Sequence, residues 1–186
     1  MDPIFAYAKL NARIMPIERG EWYEDPLGEA LEENGLGEVT GGGTLTTKEG
    51  EIEYCGIDVD LFDVEKGVPF VCQFLTEQGA PKGSSLEYEL NGEKKEVPFG
   101  ATEGLAIYLN GTDLPDEVYQ QCDINVAYDE INRLLDDRGM IQGHWQGPTE
   151  TALYLYGISA DEMRERIAGY LAEYPLLQQA RVVKIA

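Results

Sequence analysis

The chain has 186 residues, of which 35 are acidic and 14 are basic, and its formal net charge is −21. A hydrophobic fraction of 43% can supply a globular core, and the sequence has no run of eighteen apolar residues, which argues against a membrane-spanning helix. The acids are not offset by any basic patch, which disfavours direct nucleic-acid binding. We therefore expect neither a nucleic acid nor a membrane as a partner.

The N-terminus and the cysteines indicate the compartment. The first ten residues, MDPIFAYAKL, lack the basic and apolar segments of a signal peptide. Three cysteines, Cys55, Cys72 and Cys122, form no CxxC motif, which is typical of reduced thiols in a cytoplasmic protein. We expect this protein to be bacterial. With His144 as the single histidine, we expect no metal site and no cofactor.

The negative charge is spread over the chain, with a net charge of −13 in residues 1–99 and −8 in residues 100–186. Two interpretations stay open. The charge gives solubility, as on a halotolerant or acidic cytosolic surface, or it forms an acidic face that meets a basic protein partner.

The first predicted elements are a strand and a helix. Apolar residues at every second position predict a half-buried strand: Ala8, Leu10, Ala12 and Ile14. A helix is predicted to begin with Asp25 as its N-cap and Pro26 at its first position. The Asn34-Gly35 pair is predicted to end this helix.

Three consecutive glycines, Gly41, Gly42 and Gly43, fall in the second predicted strand. No Lys-Ser/Thr follows them and no GxGxxG pattern is present, which excludes a P-loop and a dinucleotide fingerprint. We expect a bent edge strand whose missing side chains leave room, which His144 and Trp145 would fill if the two halves faced each other. A backbone nest for an anion is the alternative.

The next strand carries two aspartates between apolar residues. Asp58 and Asp60 alternate with Ile57, Val59 and Leu61, so they lie on the face of the sheet opposite the helices. We expect Lys9 and Arg13 of the first strand to neutralise them across strands. A magnesium or calcium site and a polar partner-binding face are the alternatives.

The first half then continues with a helix capped by Asp63, a strand over residues 84–90 and an Asn91-Gly92 hairpin turn. The second half repeats this order. It has an alternating strand at residues 105–109 and a helix after Asp123, and later a capping box from Ser159 to Glu162.

The two halves match in element order, caps and spacing. Gly37, Val39 and Gly41 correspond in placement to Gly139, Ile141 and Gly143. Each half reads β-α-β-β-α-β, the ferredoxin-like order. We therefore predict an α+β fold: a tandem duplication of a ferredoxin-like unit, with mainly antiparallel sheets and helices on one face. Residues 1–99 and 100–186 would be the two halves, fused as one compact unit.

Two groups of residues are the candidate ligand or partner site, and none is predicted to be catalytic. His144, Trp145 and Glu150 lie on a predicted hairpin, where a His–Glu acid/base pair is conceivable but no nucleophile motif accompanies it. Tyr108, Tyr154 and Tyr156 would share an exposed sheet face, which we expect to be covered by the first half, another subunit or a ligand.

Three functional classes follow. The first is a non-catalytic module that binds or inhibits a basic protein, for example an immunity-type protein, and the acidity and the lack of a catalytic motif favour it. The second is a small-molecule binding protein or enzyme with a cleft around His144. The third is the subunit of a homo-oligomer, such as a homodimer. The ferredoxin-like resemblance concerns the fold and does not choose among them.

Overall fold

The computed structural model describes residues 3–186, which form an α+β protein with two antiparallel sheets and helices, compatible with ferredoxin-like folds. The described chain divides into two compact units. One contains the described residues up to Thr46 together with Ile52–Ala101, and the other contains Thr47–Glu51 together with Thr102–Ala186. No helix within residues 3–186 is long and apolar enough to cross a membrane.

The first unit contains a five-stranded sheet and two helical segments. Its strands are β1 (Ile4–Leu10), β2 (Gly37–Thr46), β3 (Ile52–Leu61), β4 (Ser84–Leu90) and β5 (Glu93–Phe99), in the order β2-β3-β1-β4-β5. Its helices are α1 (Pro16–Arg19), a π-helical turn (Gly20–Glu24), α2 (Asp25–Asn34) and α3 (Val64–Glu77). Strands β2 and β5 are therefore the edges of this sheet.

Alternation along β1 separates the two faces of the sheet. Ala6, Ala8 and Leu10 are buried on the side of the helices, whereas Phe5 and Tyr7 lie on the open face. The strand ends at Leu10, earlier than predicted, because the chain leaves the sheet there. Ala12 and Ile14 are nevertheless buried, which explains why the alternation continued past the strand.

The first helical segment begins ten residues before the predicted start. Pro16 occupies the first helical position of α1, and the chain continues without a break through the π-helical turn into α2. The prediction that Asp25 caps the helix is therefore wrong, because Asp25 lies inside helical backbone. Gly35 ends the segment in the left-handed conformation (φ 62°), as predicted.

Two further local predictions for the first unit, a helix cap and a hairpin turn, are confirmed. Asp63 accepts a hydrogen bond from the backbone N–H of Lys66 (3.1 Å) and begins α3. Asn91 and Gly92 both have positive φ, at 55° and 80°, and connect β4 to β5 in a tight hairpin.

The second unit contains a four-stranded sheet and three α-helices. Its strands are β6 (Glu103–Asn110), β7 (Gly139–Gln146), β8 (Glu150–Gly157) and β9 (Arg181–Lys184), in the order β7-β8-β6-β9. Its helices are α4 (Asp116–Gln121), α5 (Ile124–Leu135) and α6 (Ala160–Glu173), with short 3-10 turns at Asp136–Arg138 and Pro175–Leu177. The sequence did not predict α4.

The core of this unit lies between the sheet and helices α5 and α6. Leu105, Ile107 and Leu155 pack there against Ile131 and Ile167, and all five are completely buried. Asp123 and Ser159 cap the two helices by accepting backbone hydrogen bonds from Asn125 and Glu162, as predicted.

Candidate functional site

The triglycine strand β2 is covered by a buried ion pair. Arg19 is 8% exposed, and its Nη1 donates to the carbonyl of Gly43 (2.9 Å) and to the hydroxyl of Thr44 (2.7 Å). Its Nε donates to Oε1 of Glu24 at 2.5 Å. Arg19 and Glu24 are five residues apart, and the intervening π-helical turn suits this i, i+5 spacing.

Gly42 is the glycine that this ion pair requires. A Cβ at Gly42 would overlap Oε1 of Glu24 and lie 2.8 Å from the carbonyl oxygen of Gly56. A Cβ at Gly43 would meet nothing within 4 Å, and one at Gly41 would meet only the Asp58 carboxylate at 3.4 Å. Of the three glycines, Gly42 therefore makes the predicted room, and Arg19 and Glu24 of the same unit fill it.

The predicted turn of the second unit lies between β7 and β8, at Gly147-Pro148. His144 is exposed on β7. Trp145 is half-buried, its indole N–H donates to the carbonyl of Glu49 (3.3 Å), and its ring covers Gly147.

The carboxylate of Glu150 is held by an arginine and not by His144. Arg181 donates to both oxygens of Glu150, at 2.9 and 2.8 Å, in a bidentate pair. These bonds lower the pKa of Glu150, so this carboxyl stays ionised at neutral pH and is a poor general acid. Glu150 is thus the partner of Arg181 in this structure, and the His144–Glu150 acid/base pair stays a prediction.

The three tyrosines of the second sheet are buried in this structure. Tyr154 and Tyr156 are at most 1% exposed, and Tyr108 is 8% exposed. The hydroxyls of Tyr108 and Tyr154 both donate to Oε1 of Glu51, at 2.6 and 2.8 Å. Arg181 stacks over the ring of Tyr108, 4.4 Å from its centroid. The three rings thus present little surface to an external ligand.

A cavity of about 570 Å³ lies beside Glu150 in the second unit. Asn110, Tyr119, Asp123 and Thr149 help to line it, whereas His144 and Trp145 do not. Among residues 3–186, no group of three or more His, Cys, Asp or Glu side chains is placed to hold a metal ion.

The thiol of Cys55 is predicted to be unreactive. Cys55 is completely buried, and burial raises its pKa to about 12, with Arg19 partly opposing the shift. We expect iodoacetamide to modify it at least about a hundredfold more slowly than the half-buried Cys122 in the native protein. Peptide mass spectrometry over time measures both rates. Equal rates in urea are the control, and equal rates in the native protein would contradict the prediction.

The open face of the five-stranded sheet carries a row of acids with no base in it. Tyr7 of β1 lies opposite Asp58 on one side and Glu87 on the other, and Glu87 lies opposite Glu96 of β5. The prediction that Lys9 lies across from an aspartate is wrong. The register places Lys9 opposite Gly56, and its ammonium lies over the ring of Tyr54.

A groove of about 540 Å³ lies on this face and includes Phe5, Tyr7, Glu87, Glu89 and Glu96 in its lining. We call these five residues the acidic groove. Phe5 is 55% exposed, and the three glutamates are exposed. The same cavity is also lined by Lys94, which lies opposite Glu89, and Lys95, which pairs with Glu93 at 2.6 Å. Neither lysine lies directly opposite Glu87 or Glu96.

A second acidic surface runs along α2. Residues 20–47 contain seven acids and no lysine or arginine. Four of these acids are exposed on α2: Asp25, Glu29, Glu32 and Glu33. This helix surface carries charge alone, whereas the acidic groove adds exposed aromatic surface, which interface centres favour.

Comparisons with known proteins give weak similarities. No protein-family model matches the sequence, and no curated protein matches it. The structure of TiaS in complex with an isoleucine tRNA, AMPCPP and agmatine is 11% identical, with a TM-score of 0.35, and the match covers 89% of this chain and 56% of that one.

Two putative monooxygenases are similar over nearly their whole length. The protein from Fusobacterium nucleatum is 10% identical, with a TM-score of 0.31, and the match covers 98% of this chain and 91% of that one. The protein from Lactobacillus acidophilus is 12% identical, with a TM-score of 0.29 and coverage of 100% and 95%. At these scores the similarities assign neither a family nor an activity.

Proposed function

We propose that the chain is a non-catalytic protein-binding module that binds a basic protein through the open face of its five-stranded sheet. The observation that carries the proposal is the acidic groove. There Glu87 and Glu96 lie directly opposite each other, in a groove that the exposed ring of Phe5 also lines. A binder that neutralises a basic protein, as an immunity protein does, is the concrete form of this function.

The charges of the groove favour a cationic partner. Like charges directly opposite each other on adjacent strands destabilise a sheet, so Glu87 and Glu96 weaken the fold slightly in the free protein. A basic partner would remove this repulsion on binding and would be attracted from a distance by the net charge of −21. Phe5 would supply the apolar contact that a purely charged surface lacks.

The proposal also covers the origin of the two halves and the location of the protein in the cell. We infer that residues 1–99 and 100–186 arose by duplication of one ferredoxin-like unit. Corresponding strand orders and a bulge at the same place in β2 and β7 support this. The bulges lie between Val39 and Gly41 and between Ile141 and Gly143. Cys55, Cys72 and Cys122 form no disulfide with one another, which supports a cytoplasmic location.

Capture from a lysate of the native cell, with matched variants, tests the proposed function. The wild type is compared with a groove variant (Glu87→Gln, Glu89→Gln, Glu96→Gln) and a helix variant (Glu29→Gln, Glu32→Gln, Glu33→Gln). Both variants lose three negative charges. We expect the wild type and the helix variant to capture a basic protein stoichiometrically at about 0.05 M salt but not at about 0.5 M.

The groove variant is expected to lose this partner. Capture of the same partner by both variants would show that the groove is not the binding surface. A stoichiometric partner that is acidic or that resists high salt would contradict the proposed function.

A further inference from the structure

We propose that the acidic groove accepts an arginine side chain of the partner, with its guanidinium between Glu87 and Glu96 and against the ring of Phe5. This inference rests on the proposed function and specifies the group that the groove recognises. Three observations support it: the register of β1, β4 and β5, the exposed side chains in the groove, and the way in which Arg181 is bound in the second unit.

The strand register places two carboxylates and one ring side by side, and a second ring lines the same groove. Glu87 has Tyr7 as its neighbour on β1 and Glu96 as its neighbour on β5. Directly opposed residues project from the same face of a sheet, so these side chains all project into the groove. Phe5 lies two residues from Tyr7 on β1 and therefore on the same face.

The second unit shows how this chain holds a guanidinium. Arg181 makes a bidentate pair with Glu150 and at the same time stacks over the ring of Tyr108, 4.4 Å from its centroid. The acidic groove contains the same kinds of group, carboxylates and aromatic surface, and its lining residues include no arginine.

A guanidinium fits this groove better than an ammonium. Its planar fork can bond carboxylate oxygens on two sides and stack on a ring, whereas an ammonium is a compact and strongly hydrated charge. The groove volume of about 540 Å³ also lies within the range of sites that hold a ligand larger than one side chain, about 300–1,000 Å³. The residues that flank the arginine would therefore find room.

The hydroxyl of Tyr7 remains a donor in this setting. Burial raises its pKa, and the nearby carboxyls of Asp58 and Glu87 add to the shift. Tyr7 therefore adds no negative charge at neutral pH. The attraction for a cation comes from the glutamates, and a partner arginine would have to compete with Lys94, which lies opposite Glu89.

Fluorescence anisotropy with two labelled probes tests the inference. The probes are hexaarginine and hexalysine, which carry the same charge, and binding is measured at about 0.05 M salt to the full chain. We expect hexaarginine to bind about fivefold or more tightly than hexalysine. Phe5→Ala is expected to weaken hexaarginine binding about threefold, and Glu87→Gln with Glu96→Gln about tenfold. The exposed positions of all three side chains make these variants compatible with folding.

The control is the pair Glu29→Gln and Glu32→Gln on α2, which removes the same charge and should change hexaarginine affinity less than twofold. Equal affinity for both peptides, still sensitive to Glu87 and Glu96, would overturn the arginine inference and leave the proposed function standing. Equal losses in the groove and α2 variants, or no binding of hexaarginine, would overturn the inference. The lysate capture then decides the proposed function separately.

Discussion

Replacing Gly42 by alanine is expected to destabilise the first unit by about 2–4 kcal/mol. The added Cβ would overlap Oε1 of Glu24 and would lie 3.1 Å from Nε of Arg19 and 2.8 Å from the backbone oxygen of Gly56. The backbone oxygen belongs to the neighbouring strand and cannot move without breaking the sheet. The substitution must therefore displace either the ion pair or β2 itself.

Gly43→Ala is the matched control for this prediction. A Cβ at Gly43 meets nothing within 4 Å, and alanine restricts the unfolded chain more than glycine does. We expect no loss of stability, or a gain of about 0.4–1 kcal/mol. Amide hydrogen exchange of β2 and β3 reports the free energy of opening in this unit. Equal protection in the two variants would contradict the account of the triglycine strand.

Replacing Arg19 by methionine is expected to cost about 2–4 kcal/mol in the same measurement. The side chains of Arg19 and Glu24 are 9% and 19% exposed, so the variant leaves a largely buried carboxylate without its cation. The carbonyl of Gly43 and the hydroxyl of Thr44 also lose a donor. The remaining exposure of Glu24 keeps the expected loss below that of a fully buried pair.

The double variant Arg19→Met with Glu24→Met separates the ion pair from its packing. Removal of both charges leaves no unpaired ion, so we expect the double variant to be more stable than Arg19→Met alone. If the stability losses of the two single variants simply add in the double variant, Arg19 and Glu24 are not energetically coupled. That result would contradict the role of the ion pair in holding β2.

The local elements could be predicted because short-range signals determine them. Asp63, Ser159 and Asn91-Gly92 act on backbone groups within four residues, and the structure has all of them where the sequence indicated. The start of the first helix could not be found in this way. Pro16 lies before a π-helical turn, and the sequence pattern around Asp25 resembles a cap.

The candidate site could be predicted only in part. Alternation correctly predicted that Asp58 lies on the open face. The register of β1 against β3 depends on the whole sheet and could not be predicted in the same way. In the structure, Tyr7 and not a lysine lies opposite Asp58. Arg19 was missed because it acts over 24 residues, on Gly43. The only signal in the sequence was its place directly before 28 residues that contain no other base.

Glu51 and Arg181 illustrate the same limit in the second unit. The tyrosines were expected on a sheet face that is covered, but their partners were not predicted: Glu51 accepts hydrogen bonds from two of them, and Arg181 holds Glu150. These contacts join residues between 31 and 103 positions apart. No local sequence pattern indicates contacts between residues so far apart, so the tyrosines could be predicted as a group but their hydrogen-bond partners could not.

The most direct test of the central claim is a map of backbone amide chemical shifts during titration with unlabelled hexaarginine. The account predicts that the shifts concentrate at Phe5, Tyr7, Glu87 and the Lys94–Glu96 segment, and that they disappear at about 0.5 M salt. Shifts along Asp25–Asn34 with none in the groove would place cation binding on the helix and contradict the claim.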